Sequence, residues 1–168
     1  MKPIQALLAL FACAFLPLHA AGVADLTYAT NNGEVTITDC NEAATGELVI
    51  PDTIEGNPVT SIGREAFDSC TSLTSIAIPD GITSIGREAF GGCTSLTSIT
   101  IPDSVTSIGD WAFYQCTNLS AVTFLGDAPK IEDKAFEDSS PTIYRKPEAK
   151  GWGDTLAGRP VKLITEKP

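Results

Sequence analysis

Ile82-Thr83-Ser84-Ile85-Gly86-Arg87-Glu88-Ala89-Phe90-Gly91-Gly92-Cys93-Thr94-Ser95-Leu96-Thr97-Ser98-Ile99-Thr100-Ile101-Pro102-Asp103-Ser104 is a 23-residue unit that the chain writes three times. The copies begin at Val59, Ile82 and Val105, and the first two differ only at Val59/Ile82, Asp68/Gly91, Ser69/Gly92, Ala77/Thr100 and Gly81/Ser104. A fixed period of this length marks stacked coils. One unit has an apolar face and nothing of its own to bury it against, so each coil needs neighbours and the chain grows as a one-dimensional solenoid.

Within the unit, Leu96, Ile99 and Ile101 point inward from an extended stretch, while Ser98 and Thr100 alternate with them and face the opposite side. Pro102 ends that stretch because it has no N–H to give to a ladder. Asp103 and Ser104 turn the corner. Ile82 and Ile85 are the inward residues of a second, shorter extended stretch. Gly86 lets the chain bend, and Arg87-Glu88-Ala89-Phe90 has the composition of a single helical turn. Gly91-Gly92 makes the second corner before Cys93.

Stacking the units places equivalent residues above one another at roughly the 4.7–4.9 Å spacing of parallel strands. The predicted columns are Leu73/Leu96/Leu119, Ile76/Ile99/Val122, Ile78/Ile101/Phe124, Ile62/Ile85/Ile108 and Phe67/Phe90/Phe113. At roughly 1.5–3 kcal/mol per buried large side chain, such columns hold the fold without a disulfide or a metal. Three of the four cysteines beyond residue 20, Cys70, Cys93 and Cys116, share one repeat position, and Cys40 precedes them. The period explains them better than pairing, and parallel Cβ directions suit a bridge poorly, so they read as buried small hydrophobes. Paired zinc-ligand spacing is missing too, and no metal or cofactor is expected.

The flanks differ from the repeats. Leu26 to Thr38 reads as a β-hairpin turning at Asn31-Asn32-Gly33, the N-terminal cap of a 21–47 segment. Pro51 lies 28 residues before Pro79, so the corner around Glu55-Gly56-Asn57-Pro58 is enlarged. The repeats are assigned to 48–139, and the fourth copy keeps Ile131, Ala135 and Phe136 while Ser139 and Thr142 fall where cysteine and leucine stood. Residues 140–168, with Ile143-Tyr144, Gly151-Trp152-Gly153 and Val161-Lys162-Leu163-Ile164, form the expected C-terminal cap.

Met1-Lys2, the apolar run Ile4 to Leu18 and the small residues Ala20-Ala21-Gly22 read as a secretory leader at 1–20 with cleavage after Ala20. The run is shorter than a membrane span, so the mature chain is not expected to insert in a bilayer. A rival lipoprotein reading at Cys13 is weakened by the apolar residues that follow it. The chain is thus expected to be exported, to the cell surface, the medium or the periplasm. Removing Lys2 leaves ten basic and twenty-one acidic residues, a formal net charge of −11. A surface with that balance offers no basic stripe to nucleic acid. The only histidine, His19, falls in the leader, which removes the commonest general base and metal ligand from the mature chain.

The pattern from Leu96, Ile99, Ile101 and Pro102 through Val105, Ile108, Ala112, Phe113 and Cys116 resembles the BspA-like leucine-rich repeats of bacterial surface and secreted proteins. The resemblance implies a leucine-rich-repeat solenoid, right-handed, with a parallel β-sheet, used as an extracellular binding or adhesion module. The candidate binding face is the outward strand array Ser75, Ala77, Ser98, Thr100, Ala121 and Thr123, offered by a monomer to an unknown protein or glycan partner. Regularly spaced hydroxyls also suit a structural or ice-templating role, although Ala77 and Ala121 interrupt them. Carboxylates such as Glu65, Glu88, Asp80 and Asp103 recur once per coil, which marks solvated surface, whereas a catalytic pair stands apart from its copies. An enzyme is not expected.

Overall fold

The computed structural model describes residues 21–166, so the expected leader at 1–20 lies outside the described residues. The strands run in chain order: β1 Leu26–Asn31, β2 Glu34–Cys40, β3 Gly46–Val49, β4 Thr53–Ile54, β5 Asn57–Ile62, β6 Leu73–Ala77, β7 Ser84–Ile85, β8 Ser98–Ile101, β9 Ser107–Ile108, β10 Ala121–Phe124, β11 Lys130–Ile131, β12 Thr142–Arg145, β13 Thr155–Leu156 and β14 Arg159–Leu163. They stack on two sides of the solenoid. One side carries the order β1-β2-β5-β7-β9-β11, parallel from β2 onward, with Ser61, Ser84 and Ser107 in register. The other carries β8, β10, β12 and β14 in parallel, with Ile99 beside Val122 and Val122 beside Ile143. β3 and β6 form a separate parallel pair at its start.

The third side is a ridge of turns, and here the structure departs from the expected helical turn. Glu65, Glu88 and Trp111 hold φ of +58°, +55° and +55°, in the left-handed region. The backbone donors on the ridge reach the next coil: Glu65 N–H donates to Arg87 O (2.9 Å), Phe67 to Ala89 O (2.8 Å) and Ser69 to Gly91 O (2.8 Å). A helical turn would spend those groups inside its own coil. Coils approach closely enough at Gly86 that an added Cβ would stand 2.6 Å from Gly63 C and 2.7 Å from Arg64 N.

The predicted columns fill the interior. Phe67, Phe90, Phe113 and Phe136 stack with centroids 5.3, 5.3 and 5.2 Å apart and rings within 12° of parallel. All four are buried, as are Leu73, Leu96 and Leu119 and the Ile62, Ile85 and Ile108 file. Ile78 is only partly buried, unlike Ile101 and Phe124 above it. The four cysteines among the described residues, Cys40, Cys70, Cys93 and Cys116, are buried free thiols. Cys93 Sγ donates to Phe67 O (3.1 Å) and Cys116 Sγ to Phe90 O (3.0 Å), so each thiol also ties its coil to the one before. Burial pushes the Cys116 thiol up to about 12 and raises Cys93 as well. Hydrogen bonding to Cys70, then burial, raises Cys40.

At the start, β1 and β2 pair antiparallel around Asn32-Gly33, both at positive φ, and β2 lies against β5. The enlarged corner is a second tight hairpin, β4 and β5, turning at Glu55-Gly56 with φ of +51° and +79°. The same device recurs near the end in β13 and β14, turning at Ala157-Gly158 with φ of +45° and +74°. Asp52-Thr53 to Pro58-Val59 and Asp154-Thr155 to Pro160-Val161 share their framing residues, and Val59 and Val161 each donate to the aspartate carbonyl at 2.9 Å. The enlarged corner expected around residues 55–58 and the last strand expected at 161–164 thus belong to two instances of one hairpin. Trp152 packs edge-on against Phe124 (centroids 5.0 Å) and donates from Nε1 to Gly126 O (3.3 Å).

Candidate functional site

Strand alternation decides which side chains the stack displays. In β8 the inward Ile99 and Ile101 are buried, and Ser98 and Thr100 between them are exposed. β10 holds Ala121 and Thr123 in register with Ser98 and Thr100, but both are buried, at 9% and 5% exposure. β10 has hydrogen-bonded neighbours on both flanks, β8 and β12, and Tyr144 stands in register beside Thr123. On β6, Ala77 is exposed and Ser75 half-buried. The six predicted residues therefore lie on one side of the molecule, and four of them reach solvent.

Those four come together around a break in the sheet. β6 and β8 are consecutive coils with nearly the same sequence, yet no ladder joins them. A cleft of about 260 Å³ lies between them, lined by Ser75, Ala77, Ser98 and Thr100 together with Ile78 and Asp80. The partial exposure of Ile78 belongs to this opening. The outward strand array is thus grooved, and periodicity could not flag Ile78 or Asp80 because both repeat at Ile101 and Asp103.

The hydroxyls of Ser75, Ser98 and Thr100 differ from those on the other sheet. There Thr83 Oγ1 donates to Thr60 O (3.2 Å), Thr106 Oγ1 to Thr83 O (3.2 Å) and Ser84 Oγ to Ser61 Oγ (3.1 Å). Those groups are committed to holding coils together. Ser75, Ser98 and Thr100 make no side-chain hydrogen bond among the described residues, so their hydroxyls are available to a partner. Neither a cluster of three potential metal ligands nor a helix long and apolar enough to cross a membrane occurs among the described residues.

A family model described as the BspA type leucine rich repeat region matches residues 45–147 in six copies. Among solved structures, a leucine-rich repeat protein from Bacteroides capillosus is similar at 30% identity and a TM-score of 0.62, over 74% of this chain and 96% of that one. The T. pallidum leucine-rich repeat protein matches at 22% identity and a TM-score of 0.62, over 75% and 71% of the two chains, a likeness of fold. A Bacteroides ovatus leucine-rich repeat protein matches at 27% identity and a TM-score of 0.56, over 74% of this chain but 37% of that one. Among proteins of curated function none matches the chain.

Proposed function

From the premise that the chain belongs to the BspA-type leucine-rich repeat family, we propose that it is a binding module, not an enzyme, that receives a protein partner on the grooved strand face between β6 and β8. The observation that carries this reading is the exposure of Ser98 and Thr100 with uncommitted hydroxyls beside the cleft. Rigid strands present them without an ordering cost, the condition that favours recognition by a preformed surface. The chain's acidic balance, a formal net charge of −10, selects partners with neutral or basic contact surfaces. The reading of residues 1–20 as a leader supports a site of action outside the cytoplasm. A lattice-templating role fits less well, because an even hydroxyl array is interrupted by the cleft and by the burial of Thr123.

The test is a pull-down from the natural extracellular environment with immobilised wild-type chain and a Ser98→Lys/Thr100→Lys variant. Both substitutions sit on a solvent face, so cooperative unfolding should be preserved. The partner captured by the wild type should be retained at least about tenfold less by the variant, equivalent to roughly 1.4 kcal/mol. Equal capture by a folded variant removes this face from consideration.

A further inference from the structure

On the ridge of turns, the third copy abandons what the first two repeat. The column of Glu65 and Glu88 continues with Trp111, and the column of Asp68 and Gly91 continues with Tyr114. Trp111 keeps the column's left-handed backbone, a conformation that disfavours bulky side chains, and the residue is only partly exposed. Around it opens a cavity of about 370 Å³ lined by Arg87, Glu88, Trp111, Tyr114, Glu137 and Asp138. None of these residues belongs to the strand face, so this is a separate place on the molecule.

The walls are already ordered. Arg87 pairs with Glu88 (Nη2 to Oε1, 2.8 Å) and places its guanidinium 4.4 Å from the Trp111 ring centroid. Lys134 from the following coil holds its ammonium 5.1 Å from the same centroid, and the indole Nε1 donates to Glu137. Tyr114 Oη accepts from Gln115 Nε2 (2.9 Å), leaving its own O–H free to donate outward. Two cations, Arg87 and Lys134, stand among three carboxylates, Glu88, Glu137 and Asp138. A strongly charged guest of either sign meets repulsion from one set. A polyol meets none, because each hydroxyl donates to a carboxylate while accepting from guanidinium or phenol. Both cations stand over the Trp111 ring, so the C–H face of a sugar ring is offered the Tyr114 wall of the cavity, whose volume falls at the small end of ligand pockets, roughly 300–1,000 Å³. We propose that this cavity binds a pyranose unit of a neutral saccharide.

The chain contains two tryptophans, and Trp152 packs against Phe124, away from the cavity, so a change in intrinsic fluorescence on titration reports Trp111. The probes are cellotetraose, mannotetraose, xylotetraose and maltotetraose, with tetralysine and a heparin tetrasaccharide as charged arms. At least one neutral tetrasaccharide should give a saturable change. Calorimetric titration of Trp111→Glu and of Tyr114→Gly should show that affinity reduced at least tenfold. Those two substitutions install the residues that the second copy carries at Glu88 and Gly91, so the coil has a native precedent for them and their folding is checked by cooperative unfolding. Ser98→Lys/Thr100→Lys should leave saccharide binding unchanged, which separates this site from the strand face. The proposal is overturned if no neutral probe binds, if only a charged probe binds, or if affinity survives both folded ridge variants.

Discussion

At the residue scale, spacing between coils is set by what the closest backbone atoms allow. Gly86 sits against Gly63 and Arg64, and Gly109 repeats the contact with a hypothetical Cβ 2.6 Å from Arg87 N. Because the obstructing atoms are backbone, neither neighbour can rotate away, and relief requires the coils to part. Gly86→Ala should therefore cost about 1–3 kcal/mol through overpacking, read from the urea midpoint of unfolding. Gly81→Ser is the contrasting change. An added Cβ there meets a single backbone atom, Val59 O at 3.0 Å, but its counterpart Ser104 already occupies that column position and donates from Oγ to Ile82 O (2.6 Å), so the new hydroxyl has an equivalent acceptor in Val59 O and the effect should stay within about 1 kcal/mol. Similar costs for the two glycines would mean that close approach does not set the coil spacing.

At the element scale, the thiol file ties successive turns together and carries a pH dependence of definite sign. Cys93 and Cys116 have thiols raised above the ordinary range, chiefly by burial, with Cys116 at about 12. Their contribution is fully present below the unfolded thiol value, roughly 8.5. Between that value and the folded one the unfolded chain has released the proton while the native chain retains it, so stability falls as pH rises, by about 1.4 kcal/mol per pH unit per thiol. Urea unfolding at pH 8 and pH 10 under reducing conditions should show a steeper decline for wild type than for Cys93→Ala/Cys116→Ala; parallel declines would show that the thiols are not desolvated. The strands were legible in the sequence because alternation at Ser98-Ile99-Thr100-Ile101 admits one assignment of faces. The ridge was not, since Arg-Glu-Ala composition favours a helix whereas the chain adopts left-handed residues whose N–H groups serve the next coil. The cleft was equally hidden, because β6 and β8 read Leu-Thr-Ser-Ile-Ala and Leu-Thr-Ser-Ile-Thr over equivalent positions and nothing local distinguishes paired strands from parted ones. Trp111 and Tyr114 were visible as departures from the repeat, a signal that a search for agreement between copies passes over.

At the scale of the whole molecule, a solenoid is a sum of near-identical coils and interfaces, so its integrity depends on register more than on length. Excising residues 82–104 tests that directly. The cut joins Gly81 to Val105, which reproduces the native junction of Ser104 with Val105 in position if not in identity. Every file then closes over the gap: Phe67 meets Phe113, Leu73 meets Leu119 and Ile62 meets Ile108. The ridge donors of Glu65 and Phe67, which bond Arg87 O and Ala89 O, find Asp110 O and Ala112 O in equivalent places. The shortened chain should unfold cooperatively, with a denaturant slope lower by about a sixth, in proportion to the 23 residues lost from the 146 described. Excising only residues 82–93 removes about half a coil, sets Thr94 where Ile82 stood and throws every later apolar residue off its file. That chain should lose the cooperative transition and expose its cysteines to a thiol reagent. If the two excisions behave alike, the coils are not interchangeable units, and additive stacking of repeats is the wrong description of how this molecule stays folded.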